Sequence, residues 1–410
     1  MKKGALATVF LVVLVDLLGF GIVLPLLPFY ASEFNASGVS IGLLYSVYSL
    51  SQLIFSPIWG GLSDRFGRRP IMILSTAGST MAYILFSFSP SMALLFASRI
   101  LAGVMGGNIA TAQAYVADVT TPENRARGMG LIGAAFGIGF VIGPALASLL
   151  IHPVLHPWFP LDNKFALPGL VAASLSFLSF LLVLTKLPET VHKTSPALTE
   201  SQRASRPGLL SPEFWKLLAR QNASSPRHIL PFLLACALIL SFGQSTLYSA
   251  FPIFCKTALG LAPERVGVQF ALMGVIAIVI QGGLIRPLEK RFGETPLFVT
   301  GSILMASGIA LIPLAKSELY LAAILTVMAI GGSLNGPTLN SLISKEADPS
   351  KTGQAMGSAQ GFSALGRVIG PAWGGALIGM SLMAPFVLTG AIVVTTVLIA
   401  LKFRQADESC

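Results

Sequence analysis

Three ionisable side chains stand inside long apolar runs of the chain: Asp16, Arg99 and Arg367. A charge in hydrocarbon costs ~2.5–3.5 kcal/mol on insertion scales, so each is expected to face a cavity or a partner. Asp16 lies about eleven residues into its run, or ~17 Å at 1.5 Å rise, near the middle of a bilayer. A carboxylate there can carry a proton, because burial opposes its charge while a nearby guanidinium favours it. The alternative is a static Asp–Arg pair that only joins helices. Arg99 shares a helical face with Gly103, Gly106, Ala110, Gln113 and Ala117. That face is mostly small, so it is expected to pack closely while Arg99 reaches a carboxylate. The opposite face carries Asn108, Thr111 and Tyr115. Two polar faces cannot both meet lipid, so one is expected to line a cavity. Arg367 has three open readings: a counter-charge to Asp16, a contact for an anionic substrate, or a rim position.

A second constellation is the run Gly61-Leu-Ser-Asp64-Arg65-Phe-Gly67-Arg68-Arg69-Pro70. Its glycines permit a tight turn. One carboxylate cannot neutralise three guanidinium groups, and Asp118 is the natural second acid. Such a cluster can hold one conformation of a gate and release it when the pairs break. The plainer reading is a basic loop that only fixes topology. A third feature is Gly139-x-x-x-Gly143-Pro144, where glycines four apart let helices approach closely and the proline kinks its helix.

These groups need long apolar elements to position them. The chain has 410 residues, 54% hydrophobic and only 11% charged, where a soluble domain carries about 25% charged. So little charge cannot coat a soluble globule. Three scattered cysteines make neither a bridge framework nor a metal-ligand spacing. About 20 apolar residues cross a bilayer. That ruler predicts twelve spans, at 5–30, 40–62, 70–89, 92–117, 127–151, 165–186, 229–254, 265–286, 295–315, 318–342, 353–379 and 384–402. The fold class expected is an all-α polytopic membrane protein with two pseudo-symmetric six-helix bundles. The first run imitates a secretory signal, but its length and Asp16 mark it as an uncleaved first span. With the N-terminus inside, twenty-one of the 27 Lys and Arg fall on inner segments, four on outer ones, and Arg99 and Arg367 within spans. Both termini are therefore expected on the cytoplasmic side of the inner (plasma) membrane. The net charge of +10 follows from that topology and does not point to nucleic acid.

The domains expected are residues 1–186, a linker at 187–228 and residues 229–410. The linker is rich in Pro and Ser and holds Phe214, Trp215, Leu217 and Leu218, which could form a short interfacial helix or a plain connector. The halves read as diverged copies. Arg65-Phe-Gly67 recurs at 291–293, Met129-Gly130 at 356–357, and Val141-Ile-Gly-Pro144 at 368–371, at offsets of 226 or 227. Two six-helix repeats describe a secondary transporter. In the second half Lys290 replaces the acid of the basic loop and Glu294 replaces an arginine, so that copy reads as degraded.

The chain resembles the major facilitator superfamily, whose signature loop is Gly-x-x-x-Asp-Arg-x-Gly-Arg-Arg. More closely it resembles twelve-helix drug–proton antiporters of the tetracycline-efflux type. The resemblance rests on Asp16-Leu-Leu-Gly-Phe-Gly, Leu24-Pro25, Leu27-Pro28, Ser63 to Pro70, Arg99-Ile-Leu-Ala-Gly103, Ala117-Asp118-Val-Thr120, Glu123 to Arg127 and Gly139 to Pro144. It implies that the Gly61–Arg69 loop with Asp118 is a conformational latch. It also implies that Arg99 is tied to proton coupling, and that Gly139, Gly143 and Pro144 form the antiporter seam that limits leak. Ala147-Ser148 depart from the usual Gly-Gly pair, which Gly374-Gly375 keep in the second copy. Tetracycline exporters carry a histidine in span 8 and an acid in span 9. Here all four histidines lie outside the predicted spans and neither span holds an internal acid, so coupling falls to Asp16.

Polar stripes at helical spacing mark a candidate pathway: Tyr45, Tyr48, Ser49 and Gln52; Ser241, Gln244, Ser245 and Tyr248; Asn335 and Thr338; Gln269 and Gln281. The expected substrate cavity comprises Asn108, Thr111, Gln113, Tyr115, Gln244, Tyr248, Asn335 and Arg367. The function expected is proton-coupled export of a small amphipathic compound by a monomer in the lipid bilayer. The alternatives are a specific metabolite, siderophore or sugar transporter of the same fold, or a non-transporting receptor. No cofactor is expected: there is no Gly-rich nucleotide loop, no metal-ligand cluster and no sign of an enzyme.

Overall fold

A computed structural model of the chain describes residues 3–155, 163–190, 229–347 and 352–408. Linker residues 191–228, with Phe214, Trp215, Leu217 and Leu218, lie outside the described residues. An apolar chain in lipid must satisfy its backbone internally, which leaves the helix as the element for runs of this length. Among the described residues every regular element is helical. They are α1 (Lys3–Glu33), α2 (Gly38–Phe66), α3 (Arg68–Ser87), α4 (Met92–Met105), α5 (Asn108–Val119), α6 (Pro122–Leu150), α7 (Ala166–Lys186), α8 (Leu230–Leu259), α9 (Pro263–Val279), α10 (Ile285–Phe292), α11 (Glu294–Leu311), α12 (Glu318–Glu346), α13 (Thr352–Ile378) and α14 (Ala384–Glu408). Short 3-10 turns at Pro153–Leu155 and Ile312–Leu314 and a π turn at Ile280–Leu284 complete the set.

Ten helices are long and apolar enough to cross a membrane among the described residues. One is α4 with α5, which form a single broken span, and another is α9, the π turn and α10. Two more, α6 and α13, are 29 and 27 residues long. This is a polytopic all-α membrane protein whose helices fall on the twelve predicted spans. Serines mark three of the starts: Ser37, Ser91 and Ser317 accept from backbone N–H groups of Ser40, Leu94 and Tyr320 at the heads of α2, α4 and α12.

Internal contacts divide the chain into two units. The first is Met1–His192 with Tyr248–Val275 and Pro371–Leu382. The second is Lys193–Leu247 with Ile276–Gly370 and Met383–Cys410. In the first unit one core packs Val9, Val12 and Leu17 of α1 against Tyr115 and Val116 of α5, Ile132 and Ala135 of α6, and Val183 of α7. In the second, Ile280 and Ile285 pack with Leu297 of α11 and Leu334 of α12.

The α1–α6 seam shows why the Gly-x-x-x-Gly spacing is used. A Cβ on Gly143 would stand 2.6 Å from the Cα of Gly21, and one on Gly139 would stand 2.6 Å from the Cβ of Leu17. Neither neighbour can retreat, because one is backbone and the other is anchored in the core. Gly143→Leu should therefore lower stability by about 1–3 kcal/mol through overpacking. The check is the temperature at which detergent-extracted protein loses its monodisperse peak, expected to fall by several degrees.

Candidate functional site

The span that carries Arg99 is broken. α4 ends at Met105, Gly106 and Gly107 turn, and α5 restarts at Asn108. A break in a membrane helix frees carbonyl groups that cost several kcal/mol each if left unpaired. Three consecutive ones are met by side chains. Trp59 Nε1 donates to Val104 O at 2.6 Å, Ser75 Oγ to Met105 O at 3.1 Å, and Gln52 Nε2 to Gly106 O at 3.0 Å. Gln52, expected on a pathway stripe, is a cap for this break.

The restart positions the carboxylate. Asn108, the first residue of α5, donates from Nδ2 to Asp16 Oδ2 at 2.6 Å. The other oxygen, Oδ1, is buried and receives no hydrogen bond. The positive end of the short helix α5 also suits an anion at this place. Asp16 is partly exposed and is held by a neutral amide, so it can gain or lose a proton without breaking an ion pair.

Arg99 is 2% exposed, and no carboxylate lies within ion-pair reach of it among the described residues. This corrects the expectation that it meets an acid. Its guanidinium lies over the Phe86 ring at 5.0 Å, its Nε reaches Ser98 Oγ at 3.4 Å, and its Nη2 has no partner. Tyr83, Tyr48 and Tyr45 interact with it electrostatically. Aromatic faces attract the cation, worth up to ~2 kcal/mol when desolvated.

Several residues expected to line a cavity are instead core. Thr111 and Tyr115 are fully buried, because α5 turns this face onto α1. Tyr115 Oη donates to Pro188 O at 3.0 Å. Asn108 is spent on Asp16. Asn335 is 2% exposed, and its Oδ1 accepts from Ser302 Oγ at 3.3 Å, tying α12 to α11. Ser241 and Ser245 tie α8 to α13 through Ser363 O and Gly366 O at 2.7 and 3.1 Å. Gln113 and Gln244 are exposed and Arg367 is half-buried. Tyr248 packs its ring 6.1 Å from that of Tyr45. In the first unit a crevice of about 190 Å³ is lined by Pro28, Ser32, Gly38, Pro252, Lys256 and Ile378. The sequence reading did not find it, because it forms where four helix ends meet.

The same unit contains two close seams. A Cβ on Gly42 or Gly38 of α2 would meet the Pro371 or Gly375 carbonyl of α13. In parallel, one on Gly267 of α9 would stand 2.9 Å from Pro144 O of α6. Ser148, which departs from the expected glycine, donates a short hydrogen bond to Glu264 O at the start of α9. Pro144 thus serves two contacts, to α1 and to α9.

The basic loop is an ion-paired turn. Gly67 alone supplies the left-handed conformation, with φ 106°. Gly61 lies within α2 and a Cβ there would meet nothing, so it does not form the turn as expected. Arg68 is the hub. Its Nη1 reaches Asp64 Oδ1 at 2.5 Å and Ser63 Oγ at 2.6 Å, and its Nε reaches Asp118 Oδ2 at 3.0 Å. Arg69 Nη2 donates to Leu184 O at 2.7 Å, and exposed Arg65 lies over its neighbour Phe66. One acid was missed. Glu189 accepts from the backbone N–H groups of Arg68 and Arg69 at 2.9 and 3.1 Å. It caps α3 from the far side of α7, and no spacing in the sequence links it to that loop. Among the described residues no group of three His, Cys, Asp or Glu could hold a metal ion. Removing the cap leaves a helix start unpaired, worth about 1–2 kcal/mol. Glu189→Ala should lower the unfolding temperature of detergent-extracted protein by several degrees while leaving membrane insertion intact, and Glu189→Asp should lose less. Thermal unfolding of the two variants beside the parent checks this.

Residues 9–371 and 233–409 match the family described as Major Facilitator Superfamily. The chain is 31% identical over 378 residues to the tetracycline resistance protein, class C, of Escherichia coli, covering 90% of this chain and 88% of that protein. It is 28% identical over 412 residues to multidrug resistance protein 2 of Bacillus subtilis (strain 168), covering 97% and 96%. Its fold is similar to that of the nucleoside transporter NupG, with TM-score 0.76 and 12% identity over 97% of this chain and 99% of that one. It is also similar to the human organic anion transporter MFSD10 (TETRAN), with TM-score 0.67, 23% identity and the same two coverages. With a family match over most of its length and a relative 31% identical across 90% of it, the chain belongs to the Major Facilitator Superfamily and is a multi-pass membrane transporter.

Proposed function

We propose that this transporter exports small amphipathic compounds, of the drug type, in exchange for protons that load at Asp16. The observation that carries the reading is the carboxylate itself. It sits in the middle of α1, holds one neutral hydrogen bond from Asn108, and keeps a second oxygen buried without a donor. A proton on that oxygen removes a charge from a poorly hydrated place, so loaded and empty states differ in energy, as coupling requires. The tetracycline and multidrug resistance proteins among the relatives support the drug class, and a transporter that confers resistance does so by export.

In this reading both termini face the cytoplasm, on the distribution of Lys and Arg. Residues 1–186 and 229–410 form the two bundles joined by 187–228, and one chain suffices. Gln113, Gln244, Tyr248 and Arg367 are the cavity residues retained, since they are not sealed in a core. Arg99 tunes the site through aromatic neighbours, and Gly139, Gly143 and Pro144 hold α1 in register. The Asp64–Arg68–Asp118 cluster is the cytoplasmic gate.

The test is Asp16→Asn in everted membrane vesicles, with tetracycline and ethidium as probes. Loss of at least tenfold in proton-driven uptake is expected, with the protein still present in the membrane. Full proton-driven uptake by the mutant overturns the mechanism.

A further inference from the structure

The loop between α10 and α11 reads as a damaged copy of the basic loop, because its charges are wrong. The structure shows that they are not random. The repeat offset of 226 places Lys290 on Asp64 and Glu294 on Arg68, and the offset of 227 places Lys345 on Asp118. All three signs are reversed. The backbone is kept, since Gly67 and Gly293 both precede their helices in the left-handed region, at φ 106° and 80°.

The attraction is kept too. In the first copy Arg68, the first residue of α3, meets Asp118 near the end of α5 at 3.0 Å. In the second copy Glu294, the first residue of α11, meets Lys345 near the end of α12 at 2.8 Å. Ser341 Oγ donates to the same Glu294 oxygen at 2.7 Å. Arg65 keeps its sign as Arg291 and Arg69 becomes the neutral Thr295, but the two positions that pair across helices, Arg68 and Asp118, are both reversed, and their attraction is preserved as Glu294–Lys345.

Helix polarity explains why either sign works. A helix start prefers an anion. α3 begins with arginines and borrows its anion from Glu189. α11 begins with its own carboxylate, so it needs no outside cap and its partner must be a cation.

We infer that Glu294 and Lys345 form a second cytoplasmic latch of inverted polarity, which opens and re-forms during the transport cycle. The inference rests on the transporter fold and not on which compound is exported.

The test reads conformation without substrate. A cysteine is introduced at Ser32, which lines the crevice, in a chain with its native cysteines replaced. Its labelling by a membrane-impermeant maleimide is timed in right-side-out vesicles. Lys345→Asp and Glu294→Arg each place like charges together and should change the labelling rate at least fivefold. The triple change Lys290→Asp, Glu294→Arg and Lys345→Asp, which restores the polarity of the first loop, should return it to within twofold of the parent. Lys345→Ala removes the attraction without adding repulsion and should shift the rate in the same direction, at least twofold, with thermal stability unchanged. Parental rates in Lys345→Ala, or a triple variant as altered as the single ones, overturn the inference. Because no exported compound enters the assay, its failure is distinct from failure of the efflux reading.

Discussion

A backbone carbonyl in hydrocarbon has no water to turn to, and the rest of the site depends on how this chain meets that constraint at Gly106 and Gly107. The break releases carbonyls at 104–106, and Trp59, Ser75 and Gln52 receive them from α2 and α3. Three helices are thereby locked around one point. The restart then brings a fresh helix start, with Asn108 at its head, against Asp16. Without the break the same span would run past Asp16 with saturated backbone and offer it no local positive end. The carboxylate survives in the span because a broken helix was built beside it.

The glycine seams serve the same site from the other side. Gly139 and Gly143 press α6 onto Leu17 and Gly21 of α1, within one to two turns of Asp16. Side chains there would push α1 away from α6 and shift the carboxylate relative to Asn108, whose bond is 2.6 Å long. Close packing on one flank and a capped break on the other leave the Asp16 side chain a narrow choice of positions. On the α6–α9 seam, Ser148 shows that more than glycine is tolerated where the neighbour offers an acceptor, here Glu264 O.

The spans were legible because hydrophobic length is a direct physical readout of bilayer thickness. Asp16 and Arg99 were legible because charge in an apolar run is rare. The direction of side chains was not. Thr111 and Tyr115 looked like a cavity face, since polar groups were assumed to seek water, yet Tyr115 finds the Pro188 carbonyl and stays in the core. Gln52 looked like a stripe residue, because a helix break two helices away leaves no mark on its own periodicity. Glu189 was hidden for a similar reason, as its partners are backbone groups 121 and 120 positions away. Sequence patterns report what a residue is next to on its own helix and not which orphan group another helix presents.

Arg99 gives the unpaired carboxylate its meaning. A direct ion pair would hold both charges at the cost of desolvating each, and breaking it would strand a charge. Here the cation is carried by Phe86 and its tyrosine neighbours, and the anion by Asn108. Neither support is lost when the other group changes state. On the proton-exchange reading, protonation of Asp16 then leaves a net positive charge in this bundle without tearing apart a bond, so the energy of loading is free to act on the rearrangement of the helices. A static Asp–Arg pair would spend that energy on breaking itself.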